Sequence, residues 1–289
     1  MKILTIAHHY DPLARFIATA FQECFIELGY EAEMRSEYES GYDISFGMYA
    51  HSSYGTQNDG TYKIAYNWES LSLKMWHRRI CGGTQFDCIW DCDENNLQYT
   101  TPGEHLCCPI GYHEKFELPQ AIGPHNKIAF IGNSPTSSRR RRNPNSRKWH
   151  RRRIIESIEK HTGTQVWYVE DKTKQIHTEK LSQIIHNTDV HLNIHNNPHS
   201  PMFESLRVIA MLLSNRKFVI SEPSRTSPLI DKEHYIETND FSNVEYYLQH
   251  PEECKEIAQR GYDFIKAKYK LIDHVAECFD QLPERVKKR

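Results

Sequence analysis

The sequence predicts an α/β protein of two domains, each an open sheet of parallel strands with helices on both faces. The chain has 289 residues, which suits two domains of ordinary size. Short apolar segments alternate with amphipathic helical segments along most of the chain, a pattern typical of parallel sheets. Residues 119–124, with two prolines and a glycine, separate two series of such segments and predict a linker.

The first domain is expected over residues 1–122. Residues 2–7 (KILTIA) have the length and apolar character of a buried strand, and residues 13–28 have apolar side chains at helical spacing up to Gly29, which favours the end of a helix. Further strands are predicted at 31–35, 42–47 (YDISFG), 62–68 (YKIAYNW), 86–90 (FDCIW) and 106–110. Together these segments predict one open sheet.

The second domain is expected over residues 123–262. Its strands are predicted at 127–131 (KIAFI), 165–169, 190–194 (VHLNI) and 218–221, and its helices at 148–161, 178–187 and 203–213. From residue 244 onward the composition favours helix, with a break at Pro251. Residues 263–289 are expected to form a separate helical tail.

Composition excludes several classes of protein. A mean hydropathy of −0.71 and 26% charged residues indicate a folded, water-exposed chain, and no apolar run approaches the roughly 20 residues of a membrane span. The eight cysteines lack the spacing of a small disulfide scaffold, so reduced thiols and a cytoplasmic location are expected. The GxGxxG fingerprint of dinucleotide-binding enzymes is absent, which disfavours an NAD enzyme.

The net charge of −2 conceals a dense cationic block, RRRRNPNSRKWHRRR, at Arg139–Arg153. One interpretation is a solvated loop followed by the exposed first turns of a helix. The other is an anion-binding segment, for the phosphates of a small ligand or of a nucleic acid, with Trp149 and His150 as stacking groups. A nucleic-acid-binding protein without catalysis is therefore the alternative to an enzyme.

Polar residues collect in the predicted loops that follow the strands of the second domain. Gly132 and Asn133 end its first strand, His195 follows the strand at 190–194, and Glu222 follows the strand at 218–221. Ligands of open α/β sheets bind beyond the carboxyl ends of the strands. These residues are therefore expected to line a site.

Glu204 and Arg207 lie three residues apart on the predicted helix at 203–213, so they share a face near its amino end. They contribute to the expected site or form an ordinary surface ion pair.

The segment VHLNIHNNPHSPMFESLRVIAMLLSNRKFVISEPS resembles the donor-binding region of GT-B glycosyltransferases. Its pattern of N-x-H, then E-x-x-R-V, then V-x-S-E is most similar to that of small bacterial and phage-type enzymes of the spore-coat kind. The tail YYLQHPEECKEIAQRGYDFIKAKY likewise resembles their C-terminal end. The resemblance covers residues 127–270 and implies two Rossmann-like domains facing across a cleft, with the C-terminal helix crossing back to the first domain.

This resemblance implies a metal-independent glycosyltransferase, with hexose transfer favoured. The donor is expected to be a nucleotide-diphosphate sugar, with a UDP-sugar such as UDP-glucose first, and no cofactor is needed beyond this co-substrate. The acceptor is a hydroxyl group that the sequence does not identify. A modified base in phage DNA would use both a donor site and the basic block, and the protein would then act in the host cytoplasm.

The donor-binding residues expected from the resemblance are Gly132, Asn133, Arg142, His195, Glu204, Arg207 and Glu222. Backbone amides near Gly132 and the guanidinium groups of Arg142 and Arg207 would neutralise the leaving diphosphate. The carboxylate of Glu204 or Glu222 would accept hydrogen bonds from the ribose hydroxyls, and His195 would donate to a phosphate or a sugar hydroxyl.

The first domain should supply the base that deprotonates the acceptor, from a loop at the cleft. The candidates by position are His8, His9, Asp11, His51 and Glu69, with His9 and Asp11 preferred. The chain has 17 histidines, most of which serve structural roles, so position alone identifies the base weakly.

Asp91-Cys92-Asp93 imitates the DxD motif that holds a divalent cation in the other major glycosyltransferase fold. Short matches of this kind arise easily, and a second α/β unit has no place in that fold. No metal site is therefore expected.

Overall fold

The computed structural model describes residues 1–7, 12–48, 59–68, 86–101, 103–133, 147–169, 178–195 and 202–287. The chain divides into two compact units: unit 1 comprises Met1–Lys115 and Tyr269–Arg289, and unit 2 comprises Phe116–Lys268. Within the described residues the α-helices are α1 (Pro12–Glu27), α2 (Arg147–Thr162), α3 (Thr178–His186), α4 (Val244–Gln249), α5 (Pro251–Lys268), α6 (Leu271–Asp280) and α7 (Glu284–Lys287).

Unit 1 is built on a six-stranded sheet with the strand order β2-β1-β3-β4-β5-β6. The strands are β1 (Lys2–Ile6), β2 (Glu31–Arg35), β3 (Ile44–Met48), β4 (Tyr62–Asn67), β5 (Cys88–Asp91) and β6 (Glu104–Cys107). All the strand pairs of this sheet are parallel. The three strands β3, β4 and β5 are buried along their whole length, as the apolar runs predicted.

The C-terminal helix α6 belongs to unit 1, where it packs against α1. The ring of Phe279 lies 5.6 Å from that of Phe25 and 5.5 Å from that of Trp90, so the tail completes the aromatic core of this unit. A Cβ atom at Gly111 would lie 2.5 Å from the backbone nitrogen of Leu271, so only glycine allows the returning chain to pass there. The return of the C-terminal helix that the resemblance implied is thus confirmed.

Unit 2 is built on a five-stranded parallel sheet with the order β11-β10-β9-β7-β8. The strands are β7 (Asn126–Asn133), β8 (Val166–Val169), β9 (Thr188–Asn193), β10 (Val219–Ser221) and β11 (Ile236–Glu237). The chain passes from β7 to β8 on one side and then to β9 on the other, so the winding reverses at β7. Ligands of open parallel sheets bind beyond the carboxyl ends of the strands at such a reversal, here between β7 and β9.

The local structure of the segment predicted as a helix at 203–213 differs from the prediction. The helix predicted at 203–213 is a π-helix over Leu206–Leu212 followed by a 3-10 turn over Leu213–Asn215. π-Helical turns are rare in proteins, and those that occur often lie at functional sites. The predicted break at Pro251 is present: α4 ends at Gln249 and Pro251 begins α5, where its missing N–H is not needed in the first helical turn.

Candidate functional site

Charged and polar side chains gather at the carboxyl ends of β7, β9 and β10 in unit 2. They are His150, Arg151, Asn193, His195, Glu204, Arg207 and Glu222. Most of them are buried, and the side chains of Glu204 and Arg207 are only 17% and 12% exposed. The cluster lies where the sheet topology places a ligand site.

Glu204 is the centre of this cluster. Its Oε2 lies 2.5 Å from Nη1 of Arg207, and its Oε1 lies 3.5 Å from Nη2 of Arg151 and 3.8 Å from Nδ1 of His195. Burial by itself would raise the pKa of Glu204, but the charge of Arg207, the hydrogen bond of His195 and the charge of Arg151 outweigh it and lower the pKa to about 2. Glu204 and Arg207 therefore form a largely buried ionised pair and not an ordinary surface pair.

The guanidinium groups of Arg207 and Arg151 are held by main-chain carbonyl groups at the ends of β7 and β9, the two strands between which the winding reverses. Nε of Arg207 donates to the carbonyl of Ile131 on β7 at 2.7 Å, and Nε of Arg151 donates to the carbonyl of Ile194, just after β9, at 3.0 Å. Nη1 of Arg207 also donates to Oδ1 of Asn193 at 2.5 Å. The arginines are thus held at the ends of the two central strands by groups that cannot rearrange without disturbing the sheet.

His195 follows β9, and its ring is held by protein groups. Its Nε2 donates to the carbonyl of Pro223 at 3.0 Å, and its side chain is 4% exposed. Burial by itself would lower the pKa of His195, but the hydrogen bond and charge of Glu204 and the charge of Glu222 outweigh it and raise the pKa. The two carboxylates therefore stabilise the cationic form of the ring relative to that of a histidine in water.

Glu222 follows β10 and is fixed through both carboxylate oxygens. Oε2 accepts the backbone N–H of His195 at 2.6 Å, and Oε1 lies 2.6 Å from Nε2 of His150. Two further hydrogen bonds fix the backbone here. Nδ2 of Asn193 donates to Oγ of Ser221 at 2.9 Å, and Oγ of Ser221 donates to the carbonyl of Glu222 at 2.8 Å. Each carboxylate oxygen has a further lone pair, so Glu222 can still accept a ligand hydroxyl.

The described part of the basic block lies on α2 and divides between two environments. Arg151 is buried on the same face as Ile155 and Ile158, at helical spacing, whereas Arg153 is exposed and Arg152 pairs with Glu156 at 2.5 Å. Sequence reasoning treated the block as one charged segment and missed Arg151 as an individual site residue. The spacing of Arg151, Ile155 and Ile158 was the signal that could have found it.

Several expected site residues cannot be placed. The donor-binding candidate Arg142 lies outside the described residues, as do the catalytic candidates His8, His9, Asp11, His51 and Glu69. They remain predictions.

Gly132 and Asn133 are located through their backbones at the carboxyl end of β7. Gly132 lies against the ring of Phe130, beside the arginines. The side chain of Asn133 lies outside the described part of the chain, so its role remains a prediction.

The carboxylates of Asp91 and Asp93 support the end of β5. Asp91 accepts hydrogen bonds from the amides of Asn67 and Asn96, both at 2.7 Å, and it is completely buried, which raises its pKa. Asp93 caps the 3-10 helix Glu94–Gln98 by accepting the backbone N–H of Asn95 at 2.8 Å. Among the described residues no group of three or more His, Cys, Asp or Glu side chains is arranged to hold a metal ion.

Residues 139–280 match the family model described as glycosyl transferase-like, a span that contains the whole charged cluster. No curated protein matches the chain in sequence. None of the described helices has both the length and the apolar character of a membrane span.

Solved structures match the fold along nearly the whole chain. Anabaena HepE, in complex with UDP and glucose, has a TM-score of 0.60 at 10% identity, covering 98% of this chain and 100% of its own. An α-glucosyltransferase in complex with UDP and a 13-mer DNA containing an HMU base has a TM-score of 0.56 at 12% identity, covering 97% and 98%. An E. coli protein described as trehalose-6-phosphate, bound with UDP-2-fluoro glucose, also has a TM-score of 0.56, at 11% identity, covering 98% and 100%.

The family match and the fold together define the class of protein. The chain has the GT-B fold of two Rossmann-like units, and its residues 139–280 match a glycosyl transferase-like family.

Proposed function

We propose that the protein transfers a hexose from a UDP-sugar to an acceptor hydroxyl without a metal ion, and that the charged cluster of unit 2 binds the donor diphosphate. The observation that carries this proposal is the pair of buried arginines, Arg151 and Arg207, anchored at the ends of β9 and β7. A planar guanidinium group held in place before the ligand binds suits a phosphate, because its two N–H groups can donate to two oxygens of the tetrahedral anion.

The cluster has the charge that departure of a nucleoside diphosphate requires. Arg151 and Arg207 provide two cations beside the carboxylates of Glu204 and Glu222, and the raised pKa of His195 makes protonation of a third group easier. A diphosphate gains negative charge as the bond to the sugar breaks. Fixed cations in a site of low dielectric stabilise that charge without reorganising, and this supports catalysis without a divalent ion.

The same cluster offers a place for the ribose of the donor. Glu222 keeps lone pairs on both oxygens while His150 and the backbone of His195 hold it in position. We therefore assign Glu222 to the ribose hydroxyls. Glu204 is committed to the two arginines and is assigned the role of their counterion.

UDP and glucose are the first ligands to test because similar folds contain them: HepE is in complex with UDP and glucose, and the E. coli structure is bound with UDP-2-fluoro glucose. Thermal shifts should be measured with UDP, GDP, ADP, CMP and their sugar conjugates, since a ligand that binds only the folded protein raises its melting temperature. We expect the largest shift with UDP and UDP-glucose. No shift with any nucleotide would overturn the donor assignment.

An arginine variant makes this experiment specific to the cluster. Arg207→Lys keeps a positive charge but loses the planar fork, so we expect the UDP-induced shift to fall well below that of the wild type. Arg260→Lys, which changes an exposed arginine bonded to the carbonyl of Glu233, is the matched control and should keep the full shift.

We propose DNA containing an HMU base as the first acceptor to test. The exposed Arg153 on α2 supports a phosphate-contacting surface, and a similar fold is in complex with UDP and HMU-containing DNA. Transfer of labelled glucose from UDP-glucose to HMU-containing DNA, and none to unmodified DNA, is the expected result. Salt-sensitive DNA binding with no nucleotide binding would favour the alternative, a nucleic-acid-binding protein without catalysis.

We also propose that the protein acts in the cytoplasm. No disulfide joins the described cysteines, most of which are buried, and this suits a reducing compartment.

A further inference from the structure

We propose that Phe130 is a positioning residue for the donor diphosphate. Its ring holds the guanidinium groups of Arg151 and Arg207 as a pair, and Gly132 provides the space that the ring occupies. This inference rests on the proposed function, because it assigns a role to a residue next to the donor site.

The ring of Phe130 contacts both arginines at nearly the same distance. Cζ of Arg151 lies 5.0 Å from the ring centroid, and Cζ of Arg207 lies 5.1 Å from it. Both distances are within the range of a cation–π interaction, which is strongest where the groups are removed from water. Phe130 is completely buried, so this condition is met.

The two arginines come from different parts of unit 2 and repel each other. Arg151 lies on α2, and Arg207 lies on the π-helix. Glu204 offsets the repulsion by pairing with both side chains, and the electron-rich face of the ring adds attraction for both cations. The carboxylate and the ring together hold two like charges close enough to act on one ligand.

Gly132 is required by the ring and not by backbone conformation. A Cβ atom at this position would lie 2.6 Å from Cε1 of Phe130, closer than side-chain carbons approach each other. Gly132 is not one of the described glycines with a positive φ, so its backbone would accept another residue. A larger side chain would displace the ring and, with it, the surface on which the arginines rest.

Packing alone does not require an aromatic residue at position 130. Phe130 belongs to the hydrophobic core of unit 2 beside aliphatic residues such as Ile128 and Leu192. A leucine would fill much of the same space, whereas only an aromatic ring attracts a cation to its face. The cation–π contact can therefore be separated from core packing by experiment.

The test is isothermal titration of the full-length protein with UDP, uridine and inorganic pyrophosphate. We expect Phe130→Leu to weaken binding of UDP and of pyrophosphate about tenfold and to leave uridine binding unchanged, since the ring acts through the arginines. Phe218→Leu is the matched control: it removes a buried aromatic residue from the same core, where the ring packs on Tyr247 and, among the described residues, has no cation–π contact with an arginine. It should bind all three probes like the wild type.

A double-mutant cycle tests whether Phe130 acts through Arg207. In an Arg207→Lys background, Phe130→Leu should cost clearly less UDP affinity than it does in the wild type, because part of its effect has already been lost. Gly132→Ala should reproduce the loss of pyrophosphate binding. Full additivity, equal losses for UDP and uridine, or the same loss in Phe218→Leu would each overturn the positioning role.

Failure of this inference can be distinguished from failure of the proposed function. If the wild type binds UDP and Phe130→Leu binds it equally well, the positioning role is wrong and the donor assignment stands. If the wild type binds pyrophosphate but not UDP, and Phe130→Leu loses pyrophosphate binding, the positioning role holds and the choice of nucleotide is wrong. If the wild type binds neither probe, both proposals are wrong.

Discussion

Arg207 and Glu204 form an ion pair of 2.5 Å between Nη1 and Oε2, and both side chains are more than four-fifths buried. The two residues are three positions apart in sequence, and Arg207 also donates from Nε to the carbonyl of Ile131 on β7 and from Nη1 to Oδ1 of Asn193 on β9. A pair in this setting affects stability as well as binding, because removing one partner leaves the other charge buried and uncompensated.

Glu204→Gln is expected to destabilise the protein at neutral pH and to flatten its stability profile in acid. The pKa of Glu204 is lowered to about 2 in the folded protein, so its stabilisation is present above the unfolded pKa near 4.5 and is lost as pH falls toward 2. This difference corresponds to about 3 kcal/mol. Urea denaturation between pH 6 and about pH 3 should show a steeper decline for the wild type than for the variant. If stability falls equally with pH in the wild type and in Glu204→Gln, the lowered pKa of Glu204 is contradicted.

His191 is expected to make the protein sensitive to mild acid. It is completely buried on β9, and burial, followed by the charge of Lys217, lowers its pKa to about 3. Between pH 6.5 and 3 the unfolded chain binds a proton that the folded protein does not, so stability rises with pH in this window and falls as the solution is acidified. The difference corresponds to at most about 5 kcal/mol.

His191→Gln should therefore lose less stability than the wild type between pH 7 and about pH 5, as measured by the urea midpoint. Glutamine keeps an N–H group that can replace the donor to the carbonyl of Ile185. Measurements at pH 8, where histidine is neutral in both states, give the cost of the substitution itself. If the difference in stability between the wild type and His191→Gln is the same at pH 8 and at pH 5, His191 does not titrate as expected.

Phe279→Ala is expected to destabilise unit 1 by about 3–5 kcal/mol, although the residue lies in the C-terminal tail. Its ring packs on Phe25 and Trp90 in the core and stacks on Tyr30 at 4.9 Å. Tyr246→Ala, which removes an aromatic side chain that is 48% exposed, is the control and should cost far less. Equal urea midpoints for the wild type and Phe279→Ala would show that the tail does not complete the core.

The two environments of the basic block predict opposite phenotypes for neighbouring arginines. Arg153→Gln should reduce DNA affinity and lower the slope of log affinity against log salt by about 1, with UDP affinity unchanged, since Arg153 is exposed on α2. Arg151→Gln should instead reduce UDP affinity, because Arg151 is buried against Glu204. Fluorescence anisotropy at several salt concentrations and titration with UDP measure the two effects. Identical phenotypes would contradict the division of the block.

Most of the fold could be predicted from the sequence because each element carries its own periodicity. The strand at Glu31–Arg35 has the predicted bounds, and the first helix was displaced by one residue at each end. The two-residue strand Ile236–Glu237 was not predicted, since so short a segment has no period to detect. The π-helix was also missed, because local composition favours helix without specifying the width of its turns.

The sequence by itself determined that the chain forms two parallel α/β units and that polar residues follow the strands of the second. These features depend on local patterns, because the hydrophobic periodicity and the positions of loops can be read from short stretches of consecutive residues. It also determined His195, Glu204, Arg207 and Glu222 as residues of one candidate site.

Only the tertiary structure decided what these residues do to one another. In the structure Glu204 is the counterion of two arginines, one of which is the buried Arg151 of the basic block. Phe130 contacts these arginines from the core, and Gly132 leaves room for its ring. Burial, pKa and cation–π contacts depend on atoms brought together from distant positions in the chain. A single sequence does not contain those distances, so they are settled only when the sheet and its helices pack.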